Sequence, residues 1–461
     1  MAFTSWIYLY FFATVFVCYW LLRKKNLQNI FLLGASYLFY GHIHPFFCVL
    51  ILFSTIVDYC CGIITENKIF KPKAVLAISL ACNLGMLAYF KYFNFFIGNI
   101  SFLLEKFGFS ANEYSLKVIL PAGISFYTFQ SLSYTIDIYK GKMKARRNFI
   151  DFALFVSFFP QLIAGPIERA ARFLPQIEKH RTFDSKLFFS AWPLLIQGYL
   201  KKKLVADNLS IYVDKIYMLE SPSVLVFCIG TLAFAVQIFM DFSAYTDIAR
   251  GTARLLGFEL IKNFNAPYLA ISPSDFWKRW HISFSTWIRD YVYIPLGGSK
   301  SSKLLNNTKT LFITMGLSGL WHGAAWNYVL WGFYHALILS LYRVCGFKHN
   351  WFPKKIHSKL IACAIMFCLT LIGWAIFRTP NLSWLIGIFN NPLGFSNEEL
   401  YVSASILLYV LIYSSPMILF YLLNNHFKNI PILRGTIYGI LIFSIFMFSR
   451  ENSQDFIYFQ F

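Results

Sequence analysis

The chain is poor in charged residues, and in acidic ones above all. Only 13% of its 461 residues are Asp, Glu, Lys or Arg, whereas 57% are hydrophobic and 20% are aromatic. A typical soluble domain carries about 25% charged residues. The composition therefore excludes an ordinary soluble globule, and a mean hydropathy of +0.55 indicates a polytopic membrane protein.

The shortage of acid leaves 41 Lys and Arg against 21 Asp and Glu, a net charge of +20. The basic residues form short runs between apolar segments, which the positive-inside rule assigns to cytoplasmic loops. Because no charge precedes the first apolar segment and a basic run follows it, we expect the N-terminus outside. No nucleic-acid partner is needed to explain the charge. The runs are Arg23-Lys24-Lys25, 140–147, 169–186 and Lys201-Lys202-Lys203.

Other features are missing as well. The nine cysteines show no CxxC spacing, which indicates reduced core thiols and predicts no metal site. There is no repeat of fixed period, no low-complexity linker and no soluble domain. The first span lacks a small-residue cleavage motif and is interpreted as a retained helix. We expect one membrane-embedded domain over 1–461, with 450–461 as a short C-terminal tail.

Apolar segments recur along the whole chain and predict an all-α fold of roughly ten spans with re-entrant pieces. Between residues 120 and 339 these segments contain many Pro, Gly, Asp, Asn and Trp residues. Broken backbone at membrane depth is tolerated where it lines a cavity, so we expect the functional site there. The candidate spans are Ile7–Leu22, Phe46–Ile64, Ala74–Phe90, Phe152–Ala164, Val224–Met240, Leu311–Leu341, Leu360–Phe377, Ile406–Leu423 and Tyr438–Phe448.

The clearest local signal starts at Ser272-Pro273-Ser274-Asp275. Serine as N-cap, proline at the first helical position and an acid three residues after the cap predict a helix start. At about 100° per residue, a continuous helix would collect aromatic residues on one side and cations on the other, with His281 at the boundary. The aromatic face is Trp277, Trp280, Phe284, Trp287 and Tyr291; the opposite side carries Lys278, Ser285 and Arg289, and Arg279 and Asp290 also lie on the polar half.

Two histidines lie in the apolar run "GLWHGAAWNYVLWGFYHALIL". On a straight helix His322 shares a face with Trp326, whereas His335 points nearly the opposite way, so one pocket cannot use both. Ionisable groups at depth are functional by default. His322 is the better candidate because Gly323 and two alanines leave room beside it. His335 is predicted to be a packing residue, an interpretation that also stays open for His322.

The blocks "DFWKRWHISFSTWIRDYVYIPLGG" and "GLWHGAAWNYVLWGFYH" resemble the membrane-bound O-acyltransferase family, within it the bacterial branch that O-acetylates alginate and peptidoglycan. Further similarity lies in "LPAGISFYTFQSLSYTIDIYKG", "DFALFVSFFPQLIAGPI", "DFSAYTDIARGTARLLGFELIKNFNAPYLA" and "FIYFQF", from about residue 30 onward. The resemblance implies that His322 is the catalytic histidine and His281 the second histidine of the signature. Lys278 stands where arginine is usual, and Ala325 where glycine often sits.

The resemblance further implies a ring of transmembrane helices around a central funnel, in the bacterial inner membrane. It implies transfer of an acetyl group from cytosolic acetyl-CoA to an extracytoplasmic glycan. Acetyl-CoA would be a substrate, and no cofactor would be permanently bound. His322 would be the general base and His281 an orienting residue. Trp326 and Asn327 are predicted to bind the donor, and unspecified Trp and Asn donors near His322 are expected to stabilise the oxyanion. Lys278, Arg279 and Arg289 are predicted phosphate contacts, with a solvated helix face as the alternative.

The terminal "QDFIYFQF" contains Tyr458, a hydroxyl among aromatic residues. It is interpreted either as part of an interfacial aromatic belt or as a transient acetyl acceptor in the outer funnel. Peptidoglycan is favoured over alginate as acceptor, with a separate periplasmic transferase of the SGNH type as partner. The alternatives are a transporter or flippase, which also buries residues such as Asp241 and Asp247, or transfer of a fatty acyl or D-alanyl group.

Overall fold

All regular elements in the described residues are helices. The protein is represented by a computed structural model, which describes residues 1–109, 119–163, 165–298, 304–346, 353, 355–426, 431–448 and 456–457. The predicted all-α class is confirmed. The chain divides into two compact units, and it passes between them five times. The prediction of a single domain stays a prediction.

The first unit comprises residues 1–188 together with 252–261 and 323–325. Three of its longer helices follow predicted spans, and two, Lys25–Gly41 and Ile124–Tyr139, match none. The predicted span Phe152–Ala164 is split into two short helices at Phe158. The helices are α1 (Trp6–Leu21), α2 (Lys25–Gly41), α3 (Phe46–Glu66), α4 (Pro72–Leu87), α5 (Phe93–Lys106), α6 (Ile124–Tyr139), α7 (Phe149–Ser157), α8 (Phe159–Leu162) and α9 (Ala170–Glu178), with a π-helical segment at Ala88–Tyr92.

A buried carboxylate holds three helices of this unit together. Asp58 on α3 is fully buried. It accepts hydrogen bonds from Ser79 Oγ of α4 at 2.5 Å, Asn83 Nδ2 at 3.0 Å and Thr135 Oγ1 of α6 at 3.1 Å. A buried charge is tolerated when hydrogen bonds replace its hydration. The polar residues in these apolar helices are therefore structural.

The second unit comprises residues 189–251, 262–322 and 326–461. Its helices include one of 32 residues and, around the predicted site, two of seven residues each. They are α10 (Ser185–Tyr199), α11 (Asp207–Tyr217), α12 (Val224–Leu255), α13 (Pro273–Arg279), α14 (Ile282–Ile288), α15 (Leu304–His322), α16 (Trp326–Val344), α17 (Ile356–Arg378), α18 (Leu382–Gly387), α19 (Asn397–His426) and α20 (Pro431–Phe448), with π-helical segments at Leu200–Ala206 and Arg289–Tyr293 and 3₁₀ turns at Pro267–Leu269 and Ile388–Asn390.

The prediction that Lys201-Lys202-Lys203 form a loop is wrong, and their cytoplasmic side stays a prediction. The three residues lie in the π-helical segment that joins α10 to α11 without a break. Lys201 and Lys202 are buried. Each faces a carboxylate of α12: Lys201 Nζ lies 2.6 Å from Asp247 Oδ2, and Lys202 Nζ lies 2.8 Å from Asp241 Oδ1. The sequence alone does not reveal these ion pairs, because both carboxylates lie on α12, far from the lysines along the chain.

The predicted span Leu311–Leu341 is also wrong, because the helix ends at His322 and a new one begins at Trp326. Helices α15 and α16 form a hairpin with backbones in close contact. A Cβ at Gly319 would collide with the Tyr328 carbonyl oxygen, and one at Gly332 with that of Met315. Small residues permit this approach of two helices in a membrane.

Five described helices are long and apolar enough to cross a membrane: Phe46–Glu66, Pro72–Lys106, Val224–Leu255, Ile356–Arg378 and Asn397–Tyr421. Trp6–Leu21 and Gly435–Phe448 are apolar but shorter. This confirms a multi-pass membrane protein. By these criteria the described residues contain fewer spans than the roughly ten expected, since the central segments are broken into short helices.

Candidate active site

His322 is the last residue of α15 and lies in an aromatic cage. Its side chain is buried, with 3% of the residue exposed. The imidazole ring centroid lies 5.0 Å from that of Trp321, 5.5 Å from Phe284, 5.0 Å from Trp331 and 5.5 Å from Phe377. Rings from α14, α15, α16 and α17 thus surround the imidazole. Such a cage fixes the orientation of His322 and lowers the local dielectric constant.

His281 lies in the same cluster of rings. It is buried, at 1% exposure, and its ring centroid lies 4.6 Å from Phe242, 5.0 Å from Phe284 and 5.8 Å from Trp321. Phe284 and Trp321 therefore contact both histidines. His281 lies between two short helices, outside the candidate spans, and burial lowers the pKa of its imidazole to about 3. At neutral pH this ring is uncharged.

The predicted amphipathic helix from Pro273 to Tyr291 is wrong in its continuity. Its start is confirmed: the Ser272 side chain accepts a hydrogen bond from Asp275 N. The helix then ends at Arg279, and His281 takes a left-handed conformation at φ 43° before α14 begins. A non-glycine residue with positive φ is uncommon and needs support from its surroundings.

The support comes from residues 263–265. The Asn263 carbonyl accepts from Ile282 N at 2.9 Å, and Asn263 Oδ1 accepts from Ser283 N at 3.1 Å and from Ser283 Oγ at 3.0 Å. Asn265 N donates to the Arg279 carbonyl at 2.9 Å. These bonds satisfy the backbone groups freed by the break. They also aim His281 inward, at the rings it shares with His322.

His335 does not point away from His322. Both imidazoles contact Trp331, with ring centroids 4.7 Å and 5.0 Å from it respectively. The predicted opposition assumed a straight helix, whereas the hairpin folds α16 back beside α15. His335 is buried, and its ring also packs against Trp277 at 5.0 Å and Phe276 at 5.9 Å. The pairing of His322 with Trp326 on one helix face fails for the same reason.

The two other predicted donor contacts on α16 have different surroundings. Trp326 is 55% exposed. The Asn327 amide donates to the Phe377 carbonyl at 3.1 Å and to the Thr379 carbonyl at 3.4 Å, so it caps the end of α17. Asn327 thereby holds Phe377 against His322. The donor-binding role of Trp326 and Asn327 stays a prediction.

The three predicted phosphate contacts lie around the helix break. Lys278 and Arg289 are exposed, and Arg279 is partly exposed. Arg279 Nε lies 2.8 Å from Asp275 Oδ1, and Arg289 Nε lies 2.7 Å from Asp290 Oδ1. Each arginine thus faces one carboxylate, and its role with phosphate stays a prediction.

Tyr458 lies outside the described residues, but the two residues before it are described and buried. Ile457 N donates to Asp241 Oδ2 at 2.8 Å. The ring centroid of Phe456 lies 4.3 Å from Tyr245 and 5.6 Å from Phe242. Phe242 is the residue that contacts His281. Phe456 is therefore separated from His281 by the single ring of Phe242.

Asp241, the α12 residue that accepts from Ile457 N, also belongs to an ion-pair cluster that was not predicted from the sequence. Lys202 Nζ lies 2.8 Å from Asp241 Oδ1 and 3.0 Å from Asp207 Oδ1, with all three side chains buried. A signal was present: Lys202, Asp207 and Asp241 are charged residues within or beside apolar helices. Only the fold brings them together. Among the residues that the structure describes, no group of His, Cys, Asp and Glu is suited to hold a metal ion.

Comparison with known proteins identifies consistent relatives. A model of the membrane-bound O-acyltransferase family matches residues 143–379. The chain is 37% identical to a probable alginate O-acetylase of Pseudomonas putida, covering 87% of this chain and 82% of that protein. It is 39% identical to the corresponding Pseudomonas aeruginosa protein, covering 87% and 76%. It is 31% identical to a peptidoglycan O-acetyltransferase of Helicobacter pylori, covering 87% and 81%.

Proposed function

Because the chain belongs to the membrane-bound O-acyltransferase family and is an acyltransferase, we propose that it moves acetyl groups from cytosolic acetyl-CoA to an extracytoplasmic glycan. The relatives named for alginate and peptidoglycan acetylation support a polysaccharide acceptor. The membrane would be the bacterial inner membrane. The observation that carries the proposal is the buried His322 at the end of a broken helix, within a ring cluster that also contains His281.

His322 acts as the general base in this proposal. A thioester is already activated, so the protein has to deprotonate a hydroxyl and hold its oxygen against the carbonyl carbon. The imidazole takes the proton as the C–O bond forms. When the C–S bond breaks, its electron pair stays on sulfur, and the imidazolium returns the proton to the thiolate. His281 orients the site through the two rings it shares with His322, and Trp326, Asn327, Lys278, Arg279 and Arg289 serve as donor contacts.

A matched pair of histidine variants tests this role. Removal of a general base lowers turnover by about 100- to 10,000-fold, and His322→Gln should show this loss in thiol release from acetyl-CoA by the purified protein. His335→Gln is the control, because His335 is equally buried and contacts the same Trp331. It should keep turnover within a few fold. Full turnover by His322→Gln would mean that the base lies elsewhere.

We further propose that Tyr458 carries the acetyl group transiently. Supporting this, residues 456–457 are held at Asp241 and Tyr245, close to the ring that contacts His281. In the first step the phenol oxygen attacks the thioester carbonyl, the C–S bond breaks, and the phenol proton passes through His322 to the CoA thiolate. In the second step the accepting hydroxyl takes the acetyl and gives its proton to the tyrosinate. A phenol is a better leaving group than an alkyl hydroxyl, so the ester passes its acetyl to a periplasmic SGNH-type partner.

Two acceptors are candidates. Peptidoglycan is favoured because it is the more widespread glycan, and the strong use of Phe, Ile, Lys and Asn is typical of AT-rich genomes. Alginate is the second candidate, since the relatives named for alginate are 37% and 39% identical, against 31% for the one named for peptidoglycan. A transporter or flippase is not supported by the family membership. Thiol release in detergent separates it from an enzyme, because a transporter releases none.

A further inference from the structure

The last described residues of the chain, 456–457, are held by a side chain of α12. Asp241 uses both of its carboxylate oxygens: Oδ2 accepts a hydrogen bond from Ile457 N at 2.8 Å, and Oδ1 lies 2.8 Å from Lys202 Nζ. Ile457 and Asp241 are buried, at 2% and 3% exposure. A charged acceptor in buried surroundings makes a stronger hydrogen bond than a neutral one. Asp241 therefore fixes the backbone of the C-terminal tail at Ile457.

The ion pair with Lys202 fixes the orientation of the Asp241 carboxylate in turn. Lys202 Nζ also lies 3.0 Å from Oδ1 of Asp207, the first residue of α11, and 5.5 Å from the ring centroid of Tyr245. The side chains of Lys202 and Asp207 are each 1% exposed, and that of Asp241 is 4% exposed. Buried polar networks whose members are paired are rigid. The oxygen that faces Ile457 therefore has little freedom to turn away.

A second contact connects the tail to the histidine cluster. The ring centroid of Phe456 lies 4.3 Å from Tyr245 and 5.6 Å from Phe242, and Phe242 lies 4.6 Å from His281. Asp241, Phe242 and Tyr245 fall within an arc of about 100° on α12. One face of α12 thus binds the tail by its backbone and by a ring, and the same face contacts His281.

We propose that Asp241 is a positioning residue of the acyltransferase, which docks the C-terminal tail beside the histidine cluster through the Ile457 N–H. The inference rests on the proposed function, in which the residue after Ile457 accepts the acetyl group. Consecutive Cα atoms are about 3.8 Å apart, so a fixed Ile457 limits where the next residue can lie. Asp241 acts through the tail and takes no part in the bond changes.

Another carboxylate of α12 separates positioning from stability. Asp247 also faces a lysine of the π-helical segment, since Lys201 Nζ lies 2.6 Å from Asp247 Oδ2. Loss of either ion pair deprives a buried lysine of a partner and should lower Tm. Of the two carboxylates, Asp241 is the one that accepts a hydrogen bond from the tail. An effect on the tail that Asp241→Asn shows and Asp247→Asn does not is therefore not an effect of lost stability.

Hydrogen exchange of the C-terminal peptide in detergent tests the docking. Ile457→Pro removes the N–H, and proline can adopt the φ of the 3₁₀ turn in which Ile457 lies. In Asp241→Asn the amide has one acceptor oxygen, which cannot serve Lys202 and the tail together. Both variants should speed exchange of the tail amides about tenfold or more. Ile457→Val keeps the N–H, and with Asp247→Asn it should exchange like the unmodified protein.

Thiol release from acetyl-CoA by the same purified proteins measures the consequence for turnover. In Ile457→Pro and Asp241→Asn, kcat should fall with the fraction of tail that stays docked. KM for acetyl-CoA should not change, because in this proposal the tail does not bind the donor. Ile457→Val and Asp247→Asn should keep both parameters.

Each other outcome overturns a defined part of the inference. Unchanged exchange in Ile457→Pro and Asp241→Asn overturns the docking, and faster exchange with undiminished kcat overturns the positioning role. Equal losses in Asp241→Asn and Asp247→Asn assign the effect to stability and also overturn it. If the unmodified protein releases no thiol, the proposed function itself fails, whereas hydrogen exchange still decides whether Asp241 docks the tail.

Discussion

His322 and His281 lie in a single ring cluster but differ in how the backbone positions them. Both are buried, and Phe284 and Trp321 touch both rings. His322 is the last residue of α15, so its position depends on the hairpin. His281 lies between two helices in a left-handed conformation, and hydrogen bonds to Asn263 hold the backbone that follows it. A strained backbone position persists only where neighbours over-determine it. This favours His281 as the fixed element and His322 as the reacting one.

At the same scale, Tyr458→Phe should abolish glycan acetylation if the proposed relay operates, because the substitution removes only the hydroxyl to which the proposal assigns the acetyl group. The buried residues 456–457 keep their contacts, so the folded state should be retained. Acetyl content of the glycan and mass spectrometry of the C-terminal peptide provide the measurement.

Tyr401→Phe serves as a control, since Tyr401 is 75% exposed on α19. Wild-type acetylation by Tyr458→Phe, or an unmodified peptide during turnover, would rule out the covalent relay.

At the scale of elements, the α15–α16 hairpin depends on Gly332, where a Cβ would meet the Met315 backbone carbonyl. Backbone cannot move aside as a side chain can, so Gly332→Ala should push the helices apart and disturb the His322 cage. We expect a loss of about 1–3 kcal/mol in the free energy of unfolding, measured as a lowered Tm in detergent, with reduced turnover.

Gly98→Ala is the matched control, because nothing lies within 4 Å of the added Cβ on α5. It should be neutral or stabilise by up to about 1 kcal/mol through helix propensity. Equal Tm values for the two variants would contradict the close packing of the hairpin.

Local signals predicted the helix start at Ser272, because cap, proline and acid lie within four residues of each other. The breaks at 280–281 and 323–325 could not be predicted. The first needs Asn263 from another segment, and the second depends on glycines of two helices that face each other only after folding. In the sequence Gly323, Ala324 and Ala325 indicate space beside His322, whereas in the structure they form the turn of the hairpin.

At the scale of the whole molecule, the acceptor can be decided in cells. If peptidoglycan is the acceptor, removal of this protein should lower the O-acetyl content of purified sacculi to background, while exported alginate stays unchanged. Base-released acetate measures both. Complementation with His322→Gln should fail and with His335→Gln should succeed.

A loss of acetyl from alginate instead would select the second acceptor. A normal acetyl content in both glycans would refute a glycan acceptor altogether.

The two ion pairs between α12 and the π-helical segment have a mechanical consequence. Asp241 and Asp247 are six residues apart, about 9 Å along the axis, and neighbouring lysines grip both. Sliding one helix along the other would separate each of these charges from its partner while both stay buried, which costs free energy. The two ion pairs therefore oppose sliding of α12 along the π-helical segment. A step that required α12 to slide along this segment would therefore have to break both ion pairs at once.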